Sequence, residues 1–531
     1  MKGEFYDLVV VGSAFGGSLL AMIARRLGCS VLLVERDRHP RFAIGESSTP
    51  LTNLLLEELT TQYNLPRVKA FTKWGSWQRA HPQVTAGLKR GFSFYHHLPG
   101  QTWKKRLDRS NELLVSASPN DEVADTHWYR PDFDAFLMQE AVFLGVDYSD
   151  ETRLTEFSEG ADGVRIAGTR RGEPVQFRGR FLVDASGARG FLWQRLRLGE
   201  IPFGSYPETE SLFSHFNGVE RWETVMGEEA TSGGSRRNAT EKPSPIPPFP
   251  PDDSALHHLF PGGWMWVLRF NNGLTSAGVS VSRQLGRELQ LSAGAGAWNR
   301  VLQRLPSVAR QFREARPVRN FTHAYPVAFC SRVMVGNSWA MLPSAAGFVD
   351  PLLSTGFPLT LMGIQHLAAL LAPGKTPLRS GLDNYEASTR ADFEVVANLI
   401  GTLHLNLGRP AIFQALTMFY FAAATFSETT RRLDRSQRSP GFLLRGRPDF
   451  RQALEDLCAQ ARRPVLAEAE FRRSVARAIK PVNVAGLIDS RRRNWYPVDL
   501  SDLFQSRDKL GADDQEIRAM LSASGIALPE R

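Results

Sequence analysis

The first residues able to do chemistry are Gly12, Ala14 and Gly17, in the run Gly12-Ser13-Ala14-Phe15-Gly16-Gly17, with Glu35 lying 23 positions beyond the first glycine. A turn of this kind between a strand and a helix can hold a dinucleotide. Gly12 permits the tight turn, a small second residue lets the backbone approach a pyrophosphate, and Gly17 lets helix and strand pack closely. The helix N-terminus adds positive potential. Glu35 is placed to hold ribose hydroxyls, and an acidic residue there disfavours a 2′-phosphate, so FAD or NAD fits better than NADP. Ala14 stands where glycine is usual. Taken alone, the glycines also satisfy a plain structural turn.

The elements around the turn decide between these readings. Residues 6–11 form a short β-branched apolar run, and Leu19, Leu20, Ile23 and Leu27 then recur at helical spacing until Gly28. Residues 31–34 supply a second buried strand that closes on Glu35. Strand, glycine turn, helix, strand and acidic residue in that order make a βαβ unit, and the fold class is α/β. Residues 129–144 predict a helix opened by Pro131, and residues 180–184 a strand running into a turn at Gly187. Residues 226–254 change to Gly, Ser, Pro and charged residues, a composition that packs no core and predicts a mobile surface loop. Beyond about residue 380 the pattern is mainly helical. Its most apolar stretch, residues 411–426, is shorter than the roughly 20 residues of a bilayer span and reads as a buried or cavity-lining helix.

Composition narrows the class further. With 531 residues, 42% hydrophobic and 22% charged, the chain has the usage of a large globular protein, which excludes stapled, disordered and fibrous classes. Cys29, Cys330 and Cys458 are too few and too far apart for a disulfide framework or a metal knuckle. His96-His97 and His257-His258 are adjacent pairs, which a regular strand turns to opposite faces, so no metal site is expected. The N-terminal residues show no secretory signal, and a reducing, cytoplasmic location is expected. The net charge of +9 comes from arginines scattered without interleaved aromatics, so it reads as a solvated surface, with no nucleic-acid partner and no membrane span.

Further stretches bear on the cofactor. Residues 36–50 read RDRHPRFAIGESSTP, with Gly45, Glu46, Ser47 and Pro50; residues 130–134 read RPDFD; and residues 342–356 read LPSAAGFVDPLLSTG. Singly, Asp350-Pro351 is equally a turn and Arg130 equally a helix-start residue. In this order behind the βαβ unit, they resemble flavin-dependent monooxygenases and, more closely, flavin-dependent halogenases. The resemblance implies a Rossmann-like FAD-binding domain of the flavin monooxygenase/halogenase type, with an inserted β-sheet substrate region and a helical C-terminal region. Residues 1–380 would form the FAD-binding and halogenase core, its substrate-side sheet at about 90–125 and 200–330, and residues 381–531 the helical substrate-pocket region. It also implies flavin contacts at Glu46, Ser47 and Arg130, with Asp350 at the ribityl chain.

Three signatures would make the protein a halogenase. Lys89 lies in GLKRGFSFYHH, residues 87–97. From composition, Lys89-Arg90 is a solvated basic pair; the resemblance implies instead that Lys89 orients or relays the hypohalous acid formed when a flavin hydroperoxide oxidises halide. Lys73 is the competing lysine. Trp264 and Trp266 form a Trp-x-Trp that period two would put on one strand face anyway; by resemblance they fill space near the flavin and block direct oxygen transfer. The motif usually continues through Ile-Pro, where this chain has Leu268 and Arg269. Ser354, Thr355 and Gly356 are implied to bind halide, chloride or bromide, on backbone N–H groups. Leu353 stands where tryptophan halogenases carry a glutamate, so the chain resembles the phenol-type, phloroglucinol-type members more than the indole-type ones.

The expected function is that of an FADH2-dependent halogenase acting on a small aromatic, phenolic molecule. A separate flavin reductase is the expected partner, because the sequence has no second dinucleotide fingerprint. The alternative is an FAD-dependent monooxygenase hydroxylating an aromatic substrate, in which Lys89 only packs; an idle flavoprotein is a third class.

Overall fold

A computed structural model describes residues 4–204, 206–232 and 246–527. Its organising element is the strand Phe5–Val11, in which Leu8, Val9 and Val10 are fully buried, as a central parallel strand covered on both faces requires. It pairs in parallel with Val31–Val34 on one side and Glu173–Asp184 on the other. The helix Phe15–Arg26 connects the first two strands, which completes the predicted βαβ unit. Asp147–Ser149 and Trp339–Met341 add further parallel strands, and Gly163–Arg170 with Thr152–Gly160 extend the sheet antiparallel. The α/β class with a Rossmann-like first half is thus present.

A second sheet of nine strands is built from later segments. Thr209–Asn217, Thr275–Ser282, Gly263–Arg269, Ala255–Phe260, Gly91–His96 and Glu112–Ser116 run side by side in that order. Period-two alternation makes this sheet serve two cores. On Gly263–Arg269, Trp264, Trp266 and Leu268 join the main core, while Met265 and Val267 join a separate cluster with Leu256, Trp298 and Phe312. Between the sheets lies a two-stranded ladder, Ala86–Lys89 against Asp125–Trp128, which sets Lys89 directly opposite Asp125.

The C-terminal part is mainly helical, with Arg379–Leu405, Pro410–Arg432, Pro448–Ala461 and Glu468–Ile479 packed together. It also returns to the second sheet, where Trp495–Tyr496 pairs in parallel with Glu112–Ser116. Pro410–Arg432 has 23 residues, longer than the apolar stretch seen in the sequence. Among the described residues it is the one helix long and apolar enough to cross a membrane, and 78% of its most apolar window is buried inside the protein.

The low-complexity stretch departs from expectation at both ends. Helix Trp222–Ser232 covers its start, and Pro251–Asp253 forms a 3-10 turn. Buried Asp252 explains this order: its carboxylate accepts from the backbone N–H groups of Trp222 at 2.9 Å and Glu223 at 3.1 Å, capping the helix, and from Arg269 Nε at 3.0 Å. The rest of the predicted mobile loop, residues 233–245, lies outside the described residues.

Candidate active site

The glycine turn is fixed by steric contact within the chain. Gly12 has φ +104, and a Cβ there would lie 2.5 Å from the Ala185 carbonyl oxygen; a Cβ on Gly17 would overlap the Gly12 carbonyl. Ala14 sits at the N-cap with φ −68, where a methyl group is unstrained, and no side chain caps the helix. The first-turn N–H groups of Phe15–Arg26 therefore remain for a ligand to use. Glu35 ends the second strand with one oxygen accepting from Ser13 N at 2.9 Å, Ser13 Oγ at 3.0 Å and Arg41 at 2.8 Å. Burial works to raise this carboxyl, but Arg41 and the backbone N–H groups of Ser13 and Asp37 outweigh it and hold it below the usual range.

The GES segment is clamped against this turn by Arg130. Buried Arg130 pairs in two-pronged fashion with Asp134, at 2.9 and 2.8 Å, and donates from its other end to the carbonyls of Ile44 and Gly45, at 3.0 and 2.8 Å. Glu46 turns its Oε1 to His215 Nε2 at 2.7 Å, and its Oε2 meets no protein partner among the described residues. The Ser354-Thr355-Gly356 turn reaches the same place. Leu353 and Ser354 are both left-handed, at φ 63 and 55, and helix Gly356–Ala368 starts immediately after them. Phe357, in its first turn, packs on Phe15 at 4.9 Å and on Trp128 at 4.3 Å between ring centroids. Tyr420 Oη donates to the Leu353 carbonyl at 2.9 Å and fixes the turn from the C-terminal helices.

Lys89 is fully buried, so it is no solvated partner of Arg90, which instead faces outward to Asp121. Its Nζ donates to Ser47 Oγ at 2.9 Å and to the Ser48 carbonyl, and sits 3.9 Å above the centre of the Phe92 ring. Gly87 allows this placement, since a Cβ there would overlap the Arg269 carbonyl where the two sheets cross. Burial drives the Lys89 ammonium down, with Asp125 opposing, and drives the Asp125 carboxyl up, with Lys89 opposing. The two groups are pushed toward sharing one proton.

A cavity of about 180 Å³ adjoins this ladder. Thr49, Asn53, Phe92, Asp125 and Pro358 form walls from the N-terminal core, while Tyr420, Phe421, Tyr496, Leu503 and Met520 come from the C-terminal part. Of the aromatic residues between 413 and 421, Tyr420 and Phe421 face the cavity and Phe413 and Phe419 are core. Lys73 also lines it, donating to the Ser524 carbonyl at 2.8 Å. Trp264 and Trp266 lie one layer back, linked to Lys89 through rings: Phe92 carries the ammonium, Phe94 stacks on His257 at 4.6 Å, and Trp264 lies 5.4 Å from His257. Leu268 and Arg269 continue the strand, with Arg269 tied to Asp252 and the Val219 carbonyl.

Asp350, which the resemblance places at the ribityl chain, is held by partners within the chain. Its buried carboxylate accepts from Tyr206 at 2.8 Å, Ser280 at 3.0 Å and Leu352 N at 2.9 Å, with His404 Nε2 at 3.1 Å. These groups join the second sheet, the Asp350 turn and helix Arg379–Leu405, so Asp350 braces the turn that leads to Ser354. Sequence reasoning missed this brace, and it missed Asn53 and Asp125. Asp125 was beyond its reach because only the ladder register brings it to Lys89. Among the described residues, no group of three His, Cys, Asp or Glu is placed to hold a metal ion.

The residues around the glycine turn fit a flavin dinucleotide. Uncapped helix N–H groups, the Glu35 carboxylate, and His39 Nδ1 and Arg41 Nε, buried without partners among the described residues, lie around that turn, and Glu46 Oε2 of the GES segment is likewise without a partner. Comparison with known proteins points the same way. A family model described as tryptophan halogenase matches residues 247–409. The monodechloroaminopyrrolnitrin halogenase PrnC of Pseudomonas fluorescens is 32% identical over 372 residues, 69% of this chain and 61% of the relative. Tetracycline 7-halogenase of Kitasatospora aureofaciens is 32% identical over 374 residues, 68% of this chain and 62% of the relative. The chain thus matches about three fifths of the length of these curated relatives. A solved structure of halogenase PltM in complex with phloroglucinol and FAD shares the fold, with a TM-score of 0.78 at 22% identity over 92% of this chain and 99% of that one. With the glycine turn, the GES segment, the buried lysine and these relatives in agreement, this chain is similar to flavin-dependent halogenases over about two thirds of its length.

Proposed function

We propose that the protein is an FADH2-dependent halogenase that delivers electrophilic halogen through Lys89 to a small aromatic, phenolic substrate. The observation that carries this reading is the position of Lys89. It is sealed from solvent and anchored to the GES segment, and Phe92 beneath its ammonium and Asp125 opposite it in the ladder both line the cavity.

Gly12, Ala14 and Gly17 would hold the pyrophosphate of FAD, Glu35 a ribose, and Glu46, Ser47 and Arg130 the segment facing the ring. Reduced FAD, when bound, supplies with dioxygen the oxidising power that turns halide into an electrophile. The Ser354-Thr355-Gly356 turn offers the N–H groups of Thr355 and Gly356 to chloride or bromide at a helix N-terminus, the Ser354 N–H being held by the Pro351 carbonyl at 3.1 Å. Lys89 then receives the halogen either by hydrogen-bonding hypohalous acid as an ammonium or by bonding it as an amine, a form that burial makes accessible. Transfer gives the ring a carbon–halogen bond in place of a carbon–hydrogen bond, and the hypohalous oxygen leaves as water. Trp264 and Trp266 fill the space behind Lys89 and help prevent direct oxygen transfer to substrate.

The same reading places residues 1–380 as the flavin and halogenation core and residues 381–531 as the pocket-closing region. A separate flavin reductase supplies FADH2. Three unpaired, buried cysteines suit a cytoplasmic setting.

The test combines protein, FAD, a flavin reductase, NADH and bromide with a panel of phenols, anilines and pyrroles, and reads products by mass spectrometry. Bromide-dependent halogenated product, absent in Lys89→Ala with unchanged FAD affinity, is expected. A hydroxylated product formed equally without halide would replace this reading with the monooxygenase.

A further inference from the structure

The cavity wall beside Lys89 carries two hydrogen-bond acceptors with no protein donor. Asp125 and Asn53 are each 4% exposed. Asn53 Nδ2 donates to Asp125 Oδ1 at 2.7 Å, which fixes the Asn53 amide, since its NH2 must face the carboxylate. Asp125 Oδ2 and Asn53 Oδ1 then meet no partner among the described residues. The two residues come from separate elements, Asn53 from helix Pro50–Gln62 and Asp125 from strand Asp125–Trp128, and both line the cavity. Buried acceptors are ordinarily paired, and an unpaired one is costly. Nearby, Phe92, Pro358, Tyr420 and Phe421 supply flat apolar walls for a ring.

We propose that Asn53 and Asp125 anchor the substrate by accepting hydrogen bonds from O–H or N–H groups borne on an aromatic ring. The proposal rests on the reading of this cavity as the substrate site and adds a chemical class to it: rings that carry a hydrogen-bond donor are accepted, and rings of the same shape without one are rejected. Because Asp125 stands opposite Lys89 in the ladder, the anchor also sets the donor-bearing side of the ring toward the lysine. Burial raises the Asp125 carboxyl and Lys89 opposes that rise, so the charged acceptor depends on the lysine across from it.

Binding, not turnover, tests this. Ligand-observed NMR titration of the full chain loaded with FAD compares resorcinol with m-xylene, which replaces both hydroxyls by methyl groups of similar size. The wild type should prefer resorcinol by at least about tenfold, as a site built around a donor does. In Asp125→Asn and in Asn53→Leu that preference should fall below about threefold, with FAD affinity retained. Equal binding of the two probes by the wild type, or an undiminished preference in a folded variant, overturns the anchor while leaving the cavity as an aromatic site. Binding of neither probe overturns the cavity reading, and the anchor with it. If Asp125→Asn does not fold, Asn53→Leu decides the question, because it removes one acceptor and leaves the ladder sequence intact.

Discussion

Two lysines lie near the cavity, Lys73 on its wall and Lys89 behind it, and their surroundings separate them. Lys89 has no solvent contact and a hydrogen-bond set drawn from the GES segment, whereas Lys73 caps the chain at Ser524 from the cavity's edge. Burial lowers both ammonium groups, but only Lys89 has a carboxyl directly across a strand pair to exchange charge with. Lys89→Arg is therefore expected to lose at least about a hundredfold in halogenated product, since a guanidinium stays charged and its planar fork does not fit the space of a single Nζ over Phe92. Lys73→Ala should weaken turnover without abolishing it. Product yield per FADH2 consumed checks both, and the reverse ranking would move the relay to Lys73. The glycine turn with Gly12, Gly17 and Glu35 was legible in the sequence because its signals are local, whereas Lys89 stood out only through the resemblance, since composition read it as half of a solvated basic pair. Asn53 and Asp125 were not legible, because nothing in their own neighbourhoods shows that a helix and a strand distant in sequence meet beside one lysine.

Among the elements, the one that ties the glycine turn to the turn at Ser354-Thr355-Gly356 is the start of helix Arg130–Phe143, where Arg130 lies over both the Phe15 and Phe357 rings. Arg130 binds Asp134 one helical turn ahead and holds the Ile44 and Gly45 carbonyls in front, and its guanidinium lies 5.4 Å from the Phe15 ring centre. Asp134 is wholly buried, so removing its partner leaves a charge without compensation. Arg130→Met should cost about 3 to 5 kcal/mol of stability and loosen FAD binding together, because the freed GES segment no longer faces the glycine turn in one conformation. Thermal melting with and without FAD measures the two effects, and a variant that melts normally would remove Arg130 from this role. The element pattern of the βαβ unit was readable because period and turn residues are local signals. The ends of the stretch around residues 226–254 were misread because composition does not show that Asp252 caps a helix and ties Arg269.

At the scale of the whole molecule, five buried histidines link stability to pH. His96, His127, His257 and His258 are each pulled down to about 3 by burial, and His97 is lowered in the same sense. In the unfolded chain each would titrate near about 6.5. Between those values the unfolded state binds protons that the folded state refuses, so stability rises with pH through this window. It is present in full above about pH 6.5 and drains away as the pH falls toward 3. Lowered carboxyls at Glu35 and Asp350 add to the loss at the acid end, while the raised carboxyls at Asp125 and Asp184 act in the opposite sense as pH rises above about 4. Melting temperature should therefore hold nearly level from pH 8 to 7 and fall steeply below pH 6. His96→Leu isolates the cause, since it deletes one proton site among apolar neighbours such as Phe413, whose ring lies 5.5 Å away. Its acid limb should be shallower than the wild type's by about one proton, or about 1.4 kcal/mol per pH unit within the window. Parallel acid limbs for the two proteins would show that the histidines are not what the folded core protects from protonation.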